Sequence, residues 1–307
     1  MNVGIIGAGS IAAKVSRTLK KLNDENVALY AIASRETEKA ESFRKKFSFE
    51  KAYGSYAELL SDEGVDLVYI ATPHPFHYPI AKQAIEAGRN VMVEKPITTD
   101  REKFIKLTEL AKEKGVFLCE TFQTAFGPLL LELKREIAEG TYGKILSVKS
   151  SFGIPIANVG RLTDLNLGGG ALLDLGVYCV LHSAIYSNER VVSVKARAEK
   201  YKTGVDKLTE AHIAFESYGA DFKCSFTRIF KNDVIIDTEK AIIKLSAINV
   251  PNKIVIKDKA TGKRAVRRIK EISGYEFHFI AALKYLAEGR LQSDEMPWST
   301  SEKVLSV

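Results

Sequence analysis

Few features of this sequence suggest a specialised chain. The three cysteines are widely spaced without a C-x-x-C pair, so no disulfide framework or thiolate metal site is indicated. The 8 prolines and 21 glycines form no low-complexity segment or fixed-period repeat. The longest apolar stretch, residues 171–186, contains Asp174 and His182, and no basic-then-apolar leader precedes the first strand-like run. We therefore expect a cytoplasmic protein with no metal and no membrane partner.

What the chain does have is length and apolar content. With 307 residues, 46% hydrophobic and 27% charged, it is long enough for one large or two medium domains. The net charge of +7 arises within residues 253–270, where eight basic residues face one acidic residue. No aromatic residues interleave with these charges, and lysines are common on exposed sheet edges. We expect no nucleic-acid partner.

The first 120 residues alternate strand and helix patterns. Short apolar runs typical of buried strands alternate with segments of helical spacing. The predicted strands are 3–6, 27–33, 51–53, 66–71, 90–94 and 116–120. Strands separated by helices imply right-handed parallel crossovers and a doubly wound sheet.

Beyond Glu120 the pattern changes to strands joined by hairpin-type turns, such as Tyr218-Gly219 and Thr261-Gly262. The strands predicted here are 145–152, 191–200, 208–218, 220–230, 241–245, 254–258 and 263–269. Three glycines, 168–170, precede a predicted helix over 172–186, and a further helix is predicted over 275–288. The predicted fold class is α/β, with a Rossmann domain (1–121) followed by an α+β domain (122–307) that has an open, mainly antiparallel sheet.

A glycine motif between the first strand and the first helix is the sharpest local signal. It reads Gly7-Ala8-Gly9-Ser10-Ile11-Ala12, a G-x-G-x-x-A pattern. Gly7 permits the tight turn, Gly9 lets a pyrophosphate approach the backbone, and Ala12 allows close helix packing. Glycines at such a turn can also serve packing alone. We predict that residues 7–11 bind a dinucleotide.

The end of the second strand distinguishes the two nicotinamide cofactors. An acidic residue there would bind the ribose 2′-hydroxyl, but Ser34 and Arg35 occupy the turn. The planar guanidinium of Arg35 suits a 2′-phosphate. We therefore predict NADP as the cofactor, with NAD as the alternative if Arg35 lies in solvent or against the adenine.

Two further loops follow the fourth and fifth strands, where open parallel sheets bind ligands. The predicted cofactor contacts in these loops are Thr72, Pro73, His74, His77, Glu94 and Lys95. Pro96 keeps the residue before it extended, so the lysine ammonium can point at a bound ring. Either histidine could instead be structural, with its ring satisfied by backbone partners.

At these residues the sequence resembles the oxidoreductases grouped as glucose-fructose oxidoreductase, inositol dehydrogenase and MocA (Gfo/Idh/MocA). The resemblance rests on the glycine motif, Ala71-Thr72-Pro73 with His77, Glu94-Lys95-Pro96, and GGGALLDLGVY over 168–178. It implies a nicotinamide-binding first domain, a substrate cleft between the domains and a homodimer, or a larger homo-oligomer, formed through the second domain's sheet. It also implies an active-site role for Lys95 and a cis bond before Pro96.

Tyr178 places the chain nearest the dihydrodiol dehydrogenase and NADP-dependent xylose dehydrogenase branch of that family. Other members carry histidine at this position, working with an aspartate that corresponds to Asp174. In the tyrosine branch the phenol is proposed as the acid/base, which the resemblance carries to Tyr178. A free phenol has a pKa of about 10, and a lysine ammonium such as that of Lys95 would favour its phenolate form.

Helical spacing places Asp174, Tyr178 and His182 on one polar stripe. We predict that Asp174 and His182, together with His77 and Arg161, bind substrate. Alternatively, Tyr178 and His182 are core rings with hydrogen-bonded tips, and Asp174 serves the amides of a helix start.

Together these features predict an NADP-dependent oxidoreductase that transfers a hydride between nicotinamide and a sugar, cyclic polyol or diol, with Tyr178 as acid/base and Lys95 as its partner. The alternative is a non-catalytic dinucleotide-sensing regulatory protein of the same fold.

Overall fold

The computed structural model describes residues 1–22, 26–270 and 274–307. The chain divides into two compact units. Unit 1 comprises Met1–Phe122 and Tyr275–Trp298, and unit 2 comprises Gln123–Gly274 and Ser299–Val307.

The strands and helices follow the sequence pattern closely. In chain order the strands are β1 (Asn2–Ile6), β2 (Ala28–Ala33), β3 (Lys51–Tyr53), β4 (Leu67–Ile70), β5 (Asn90–Glu94), β6 (Leu118–Thr121), β7 (Ile145–Gly153), β8 (Val191–Lys200), β9 (Asp206–Phe215), β10 (Gly219–Ser225), β11 (Asp233–Thr238), β12 (Ala241–Ser246), β13 (Lys253–Asp258) and β14 (Arg264–Arg268). The α-helices are α1 (Ser10–Leu22), α2 (Thr37–Phe47), α3 (Tyr56–Ser61), α4 (His77–Glu86), α5 (Arg101–Lys114), α6 (Pro128–Ala138), α7 (Val177–Ala184), α8 (Tyr275–Ala287) and α9 (Trp298–Leu305).

Unit 1 is built on a parallel sheet with the strand order β3-β2-β1-β4-β5-β6. The central strands β1, β4 and β5 are almost wholly buried, as expected when helices cover both faces of a sheet. The strand order changes direction between β1 and β4, where folds of this kind bind ligands. The loops predicted to bind the cofactor follow the carboxyl ends of these central strands. The predicted Rossmann fold is confirmed.

Local signals explain where the helices of unit 1 begin and end. Ser55 and Glu58 form a capping box at the start of α3. The Asp100 carboxylate accepts the first free N–H groups of α5, and Gly115, in the left-handed region, ends that helix.

Helix α8 belongs to unit 1, whereas the predicted second domain spanned 122–307. Its aromatic face explains the difference, because the Phe279 ring stacks on Tyr69 of β4 with a centroid separation of 5.3 Å. Phe279 and Tyr69 are both fully buried. Helix α8 therefore adds to the core of the parallel sheet.

Unit 2 contains a sheet with the strand order β14-β13-β12-β11-β7-β10-β9-β8. Neighbouring strands pair antiparallel except β7 and β10, which pair parallel. The predicted open, mainly antiparallel sheet is confirmed. Strand β11 was not predicted, and β10 ends at Ser225 rather than near residue 230.

The predicted helix over 172–186 begins as a π-helical turn, Leu172–Gly176, and continues as α7. Within the described residues, one helical stretch, Leu165–Ala184, is long and apolar enough to cross a membrane, but 67% of its most apolar window is buried inside the protein. The core helix of a globular unit passes the same test.

Candidate functional site

The predicted site residues fall into two groups, one in each unit, and each group is described on its own. The first group consists of residues 7–12, 34–35, 72–77 and 94–97 of unit 1. The second group consists of Arg161 and residues 168–186 of unit 2.

The turn from β1 into α1 requires glycine at its first position. Gly7 has φ +101°, and its N–H donates to the Ala33 carbonyl oxygen at 2.9 Å. A Cβ on Gly7 would lie 2.8 Å from the Ala71 carbonyl oxygen. Both the backbone conformation and the close packing against the end of β4 therefore exclude larger residues.

Beyond Gly9 there is open space. A Cβ built on Gly9 would meet no atom within 4 Å, and both Gly9 and Ser10 are exposed. The first N–H groups of α1 have no acceptor within the helix, and a helix N-terminus with unshielded amides binds phosphate. Among the residues the structure describes, the buried Thr72 hydroxyl at the end of β4 has no hydrogen-bond partner. These groups fit a dinucleotide.

The turn after β2 carries a cation. Arg35 is exposed, with its guanidinium carbon 5.6 Å from the centroid of the Phe76 ring. Burial raises the pKa of Tyr56, and the positive charge of Arg35 opposes that rise. Ser34 is buried and its hydroxyl accepts the Glu36 N–H at 3.4 Å. The turn presents an exposed guanidinium against the Phe76 ring.

His77 links the loops that follow β4 and β5. Its ring is fully buried, with Nδ1 2.7 Å from the Pro96 carbonyl oxygen and Nε2 2.7 Å from the Thr72 carbonyl oxygen. His74 is 6% exposed and packs edge-on against it at 5.7 Å. The geometry favours the backbone role for His77 over the predicted contact with substrate, because both of its polar atoms already face the main chain.

The Glu94-Lys95-Pro96 loop is held by buried side chains. The Lys95–Pro96 peptide bond is cis, as the resemblance implied. The Tyr69 hydroxyl donates to Glu94 Oε1 at 2.6 Å, and the Ile97 N–H donates to Glu120 Oε1 at 2.9 Å. Burial raises the pKa of Tyr69, which keeps its phenol a donor. Lys95, only 9% exposed, therefore sits on a fixed backbone.

In unit 2, the side chain of Tyr178 lies in the first turn of α7. It is 8% exposed, and its ring meets the edge of Phe152 of β7 at a centroid separation of 5.7 Å. This packing fixes the ring while part of the residue stays accessible.

The predicted polar stripe is interrupted. Asp174 lies in the π-helical turn, where the residues per turn differ from those of an α-helix. Its carboxylate accepts a hydrogen bond from Arg161 at 2.9 Å, so these two predicted substrate ligands bind each other.

His182 is fully buried, with Nδ1 2.6 Å from the Tyr186 hydroxyl and Nε2 2.8 Å from the Ile248 carbonyl oxygen. Burial lowers its pKa to about 4. The structure favours the core alternative for this ring over substrate binding, because a neutral imidazole with both nitrogens bonded inside the protein has no polar atom left for a ligand.

Three side chains that hold these groups in place were not predicted: Tyr69 and Glu120, which bond to the end of β5 and the loop after it, and Asp206, whose carboxylate accepts the Leu172 N–H. Tyr69 lies in β4 and Glu120 in β6, and buried strands of this kind are expected to carry apolar side chains. The one signal in the sequence was Glu94, a carboxylate at the end of the neighbouring strand β5. Asp206 follows no motif. In the described ranges, no cluster of three or more His, Cys, Asp or Glu residues could hold a metal ion.

Two regions of the chain match models of one protein family. Residues 1–122 match the model of the GFO/IDH/MocA oxidoreductase family with its NAD-binding Rossmann fold, and residues 130–244 match the GFO/IDH/MocA C-terminal domain.

Similar sequences include the trans-1,2-dihydrobenzene-1,2-diol dehydrogenases of Mus musculus and Sus scrofa. The mouse protein is 32% identical over 82% of this chain and 77% of its own length. The pig protein is 32% identical over 90% of this chain and 82% of its own length.

Similar solved structures include the open conformation of KijD10, a 3-ketoreductase from Actinomadura kijaniata, in complex with TDP-benzene and NADP. It is 25% identical, with a TM-score of 0.82, over 100% of this chain and 94% of that one. An oxidoreductase domain protein from Kribbella flavida shares the fold at 18% identity, with a TM-score of 0.87 over 99% of this chain and 94% of that one. Over both of its domains, this chain belongs to the Gfo/Idh/MocA family of oxidoreductases.

Proposed function

We propose that this protein is an NADP-dependent oxidoreductase that transfers a hydride between nicotinamide and a carbinol carbon of a sugar, cyclic polyol or diol. The observation that carries the proposal is Lys95, a nearly buried cation at the carboxyl end of β5 on a loop fixed by Tyr69, Glu120 and His77. A preorganised ammonium in such a place stabilises developing negative charge on a substrate oxygen.

The names of the relatives support this substrate class. The dehydrogenases of mouse and pig are named for a trans-dihydrodiol, and KijD10 was solved with a TDP ligand and NADP. A vicinal diol and a sugar share adjacent carbinol groups. We propose a substrate with that pattern, one hydroxyl of which is oxidised or formed.

We propose NADP over NAD because Arg35 lies in the turn after β2, where an acidic residue would bind the ribose hydroxyl. The ring of Phe76 lies under the guanidinium. This platform holds the cation in place for a 2′-phosphate.

For the chemistry, we propose Tyr178 as the acid/base. The bound cofactor supplies the hydride donor or acceptor. During oxidation, Tyr178 as phenolate takes the hydroxyl proton while the substrate C–H bond gives its electron pair as hydride, and the carbonyl forms. The ammonium of Lys95 stabilises the alkoxide and favours the phenolate. Reduction runs through the same steps in reverse, with the phenol donating.

Cofactor choice is tested by titration. Arg35→Gln should raise the Kd for NADP at least about 10-fold and leave the Kd for NAD within about 2-fold, because one charge-assisted contact is worth about 1.5–3 kcal/mol. Arg17→Gln is a matched control, since its guanidinium also lies 5.7 Å from a phenylalanine ring. Equal losses for both cofactors would contradict the 2′-phosphate role.

The catalytic roles are tested on a panel of sugars and diols with NADP(H). Tyr178→Phe and Lys95→Ala should each lower kcat by about 10²–10⁴-fold and change the Kd for NADP little, since proton transfer and alkoxide stabilisation act in the transition state. If both side chains act on one step, the double variant should lose less than the product of the two single effects. Tyr142→Phe, which loses a hydroxyl bonded to Glu136, is the control. Tight NADP binding without turnover on the panel would favour the non-catalytic alternative.

We further propose that the protein self-associates through the outer face of the unit 2 sheet and works in the cytoplasm. That face carries charges of both signs on β7–β10, which suits a self-complementary contact: Lys149, Lys195, Arg197, Glu210, Asp221 and Lys223. Light scattering of the wild type and of Arg197→Glu tests the assembly, and cell fractionation tests the location.

A further inference from the structure

Asp206 opens β9, directly after the turn that joins β8 and β9. In that turn the Gly204 N–H donates to the Tyr201 carbonyl oxygen, and the Tyr201 N–H donates to the Val205 carbonyl oxygen. The turn therefore fixes the backbone on which Asp206 stands.

The Asp206 carboxylate meets the start of the helical segment that leads to Tyr178. Its Oδ2 accepts the Leu172 N–H at 2.8 Å and the Thr209 hydroxyl at 2.7 Å. The Ala171 N–H also bonds to this carboxylate. The carboxylate thus accepts hydrogen bonds from N–H groups that have no acceptor within the helix at its start.

Gly170 leaves room for this carboxylate. Its φ is +121°, and a Cβ built on it would lie 2.1 Å from Asp206 Oδ1. The third glycine of the GGG run is therefore required by a side chain 36 positions further along the sequence, and not by flexibility alone.

Leu172 connects Asp206 to the turn of Tyr178. Its N–H donates to Asp206, and its carbonyl oxygen accepts the Val177 N–H across the π-helical turn. Val177 directly precedes Tyr178, so two hydrogen bonds and one peptide bond link the carboxylate to the backbone of the tyrosine. π-helical turns of this kind are often found at functional sites.

We infer that Asp206 is a positioning residue: by anchoring Leu172, it sets where the π-helical turn ends and holds the Tyr178 phenol in place for proton transfer. The inference deepens the proposed function and rests on it for the catalytic consequence. Displacing a reacting group by about 1 Å can cost roughly 10²-fold in rate, so a small slip of this turn is enough.

The Asp206 carboxylate is partly buried, unlike an ordinary surface charge. Desolvation raises the pKa of Asp206, and the hydrogen bonds from Thr209 and Leu172 oppose that rise. These hydrogen bonds therefore offset part of the cost of burying the charge, which agrees with a structural anchor.

The test follows position and rate separately. Position is read by placing 3-fluorotyrosine at residue 178 and recording its ¹⁹F resonance. Asp206→Ala should broaden or split this resonance and lower kcat by about 10–100-fold, while the Kd for NADP stays within about 2-fold. Asp206→Asn, whose amide oxygen still accepts the Leu172 N–H, should restore a single line and most of the kcat.

A matched control is Asp258→Ala. Asp258 also accepts a backbone N–H and a threonine hydroxyl, both from Thr261 at 2.7 Å, but in an exposed hairpin turn. It should leave the resonance and kcat unchanged. If Asp206→Ala does not fold, Thr209→Val removes one donor to the carboxylate and should broaden or split the resonance to a smaller extent.

The outcomes separate the two proposals. An unchanged ¹⁹F resonance in Asp206→Ala, or in Thr209→Val where only that variant folds, overturns the positioning role. A displaced resonance with unchanged kcat supports the positioning of Tyr178 and contradicts its proposed catalytic role. Loss of kcat with an unchanged resonance also overturns the inference.

Discussion

The two units use glycine for opposite purposes. In unit 1, Gly9 faces open space at the start of α1, with no atom within 4 Å of a built Cβ. In unit 2, the space beside Gly170 is filled by the Asp206 carboxylate, 2.1 Å from a built Cβ. Both glycines precede a helical segment and come from short glycine-rich motifs.

The difference distinguishes a glycine beside open space, where a ligand can bind, from a glycine beside space that another side chain of the protein fills. A ligand site pairs unshielded amides with empty space, as at Gly9. At Gly170 the amides that follow are already bonded to Asp206, so the motif shapes the protein instead of receiving an anion. The same residue type therefore carries different functional meaning in the two motifs.

The largest expected effect is on stability at the filled glycine. Gly170→Ala should lower the free energy of unfolding by about 3 kcal/mol, because it adds a clash with Asp206 to an unfavourable φ. Urea denaturation measures this change. Gly262→Ala is the control: it also has positive φ, +69°, but no atom within 4 Å of a built Cβ. It should cost about 1 kcal/mol, and equal losses in the two variants would show that the contact with Asp206 adds nothing.

A smaller effect is expected on the pH dependence of stability, from one buried histidine in each unit. Burial lowers the pKa of His278 in unit 1 to about 3 and that of His182 in unit 2 to about 4. The unfolded chain takes up these protons near pH 6.5, whereas the folded protein does not. Their contribution to stability is thus complete above pH 6.5 and is lost as the pH falls toward 4 and 3.

Denaturation between pH 6.5 and 5 should show this loss. Removing either ring, as His278→Gln or His182→Gln, should reduce the slope of unfolding free energy against pH by up to about 1.4 kcal/mol per pH unit. The comparison of slopes holds even where the substitution lowers stability at every pH. His212→Gln, which removes a ring 49% exposed on β9, is the control and should change the slope less. Equal slopes in all variants would contradict the cause assigned to the two shifts.

The smallest expected effect is at the open glycine. Gly9→Ala should change the free energy of unfolding by less than about 0.5 kcal/mol, since the methyl group meets nothing. It should raise the Kd for NADP about 10-fold, roughly 1.4 kcal/mol, by intruding where a pyrophosphate would lie. Gly7→Ala should instead act mainly on the free energy of unfolding and lower it, because its Cβ would approach the Ala71 carbonyl oxygen. Unchanged NADP binding in Gly9→Ala would remove the ligand interpretation of the empty space.

Much of unit 1 could be predicted from the sequence because its signals are local. Buried strand runs, helix caps such as Asp100 and the glycine turn each lie within a few residues, and together they specify a parallel sheet. Lys95 was identified for the same reason, since its neighbours Glu94 and Pro96 are adjacent in sequence.

The features that escaped prediction depend on distant contacts or on small backbone choices. Asp206 reaches Leu172 across 34 residues, and α8 joins the parallel sheet through a ring contact with Tyr69. The π-helical turn shares its apolar pattern with an α-helix, so spacing alone placed Asp174 and His182 on one face. Strand β11 follows Asn232, whose φ is +54°, in a segment between 230 and 241 where no strand was predicted.

The contacts of His77 have a consequence for how this part of the molecule can diverge. Its two ring nitrogens each lie 2.7 Å from a main-chain carbonyl oxygen, that of Pro96 or that of Thr72, and main-chain groups are present whatever the side chain. Side chains in either loop can therefore be exchanged during evolution or engineering without breaking the link, while the imidazole itself has no substitute that spans the same two oxygens. Replacing these loops with those of homologous enzymes should preserve the fold when the histidine is kept.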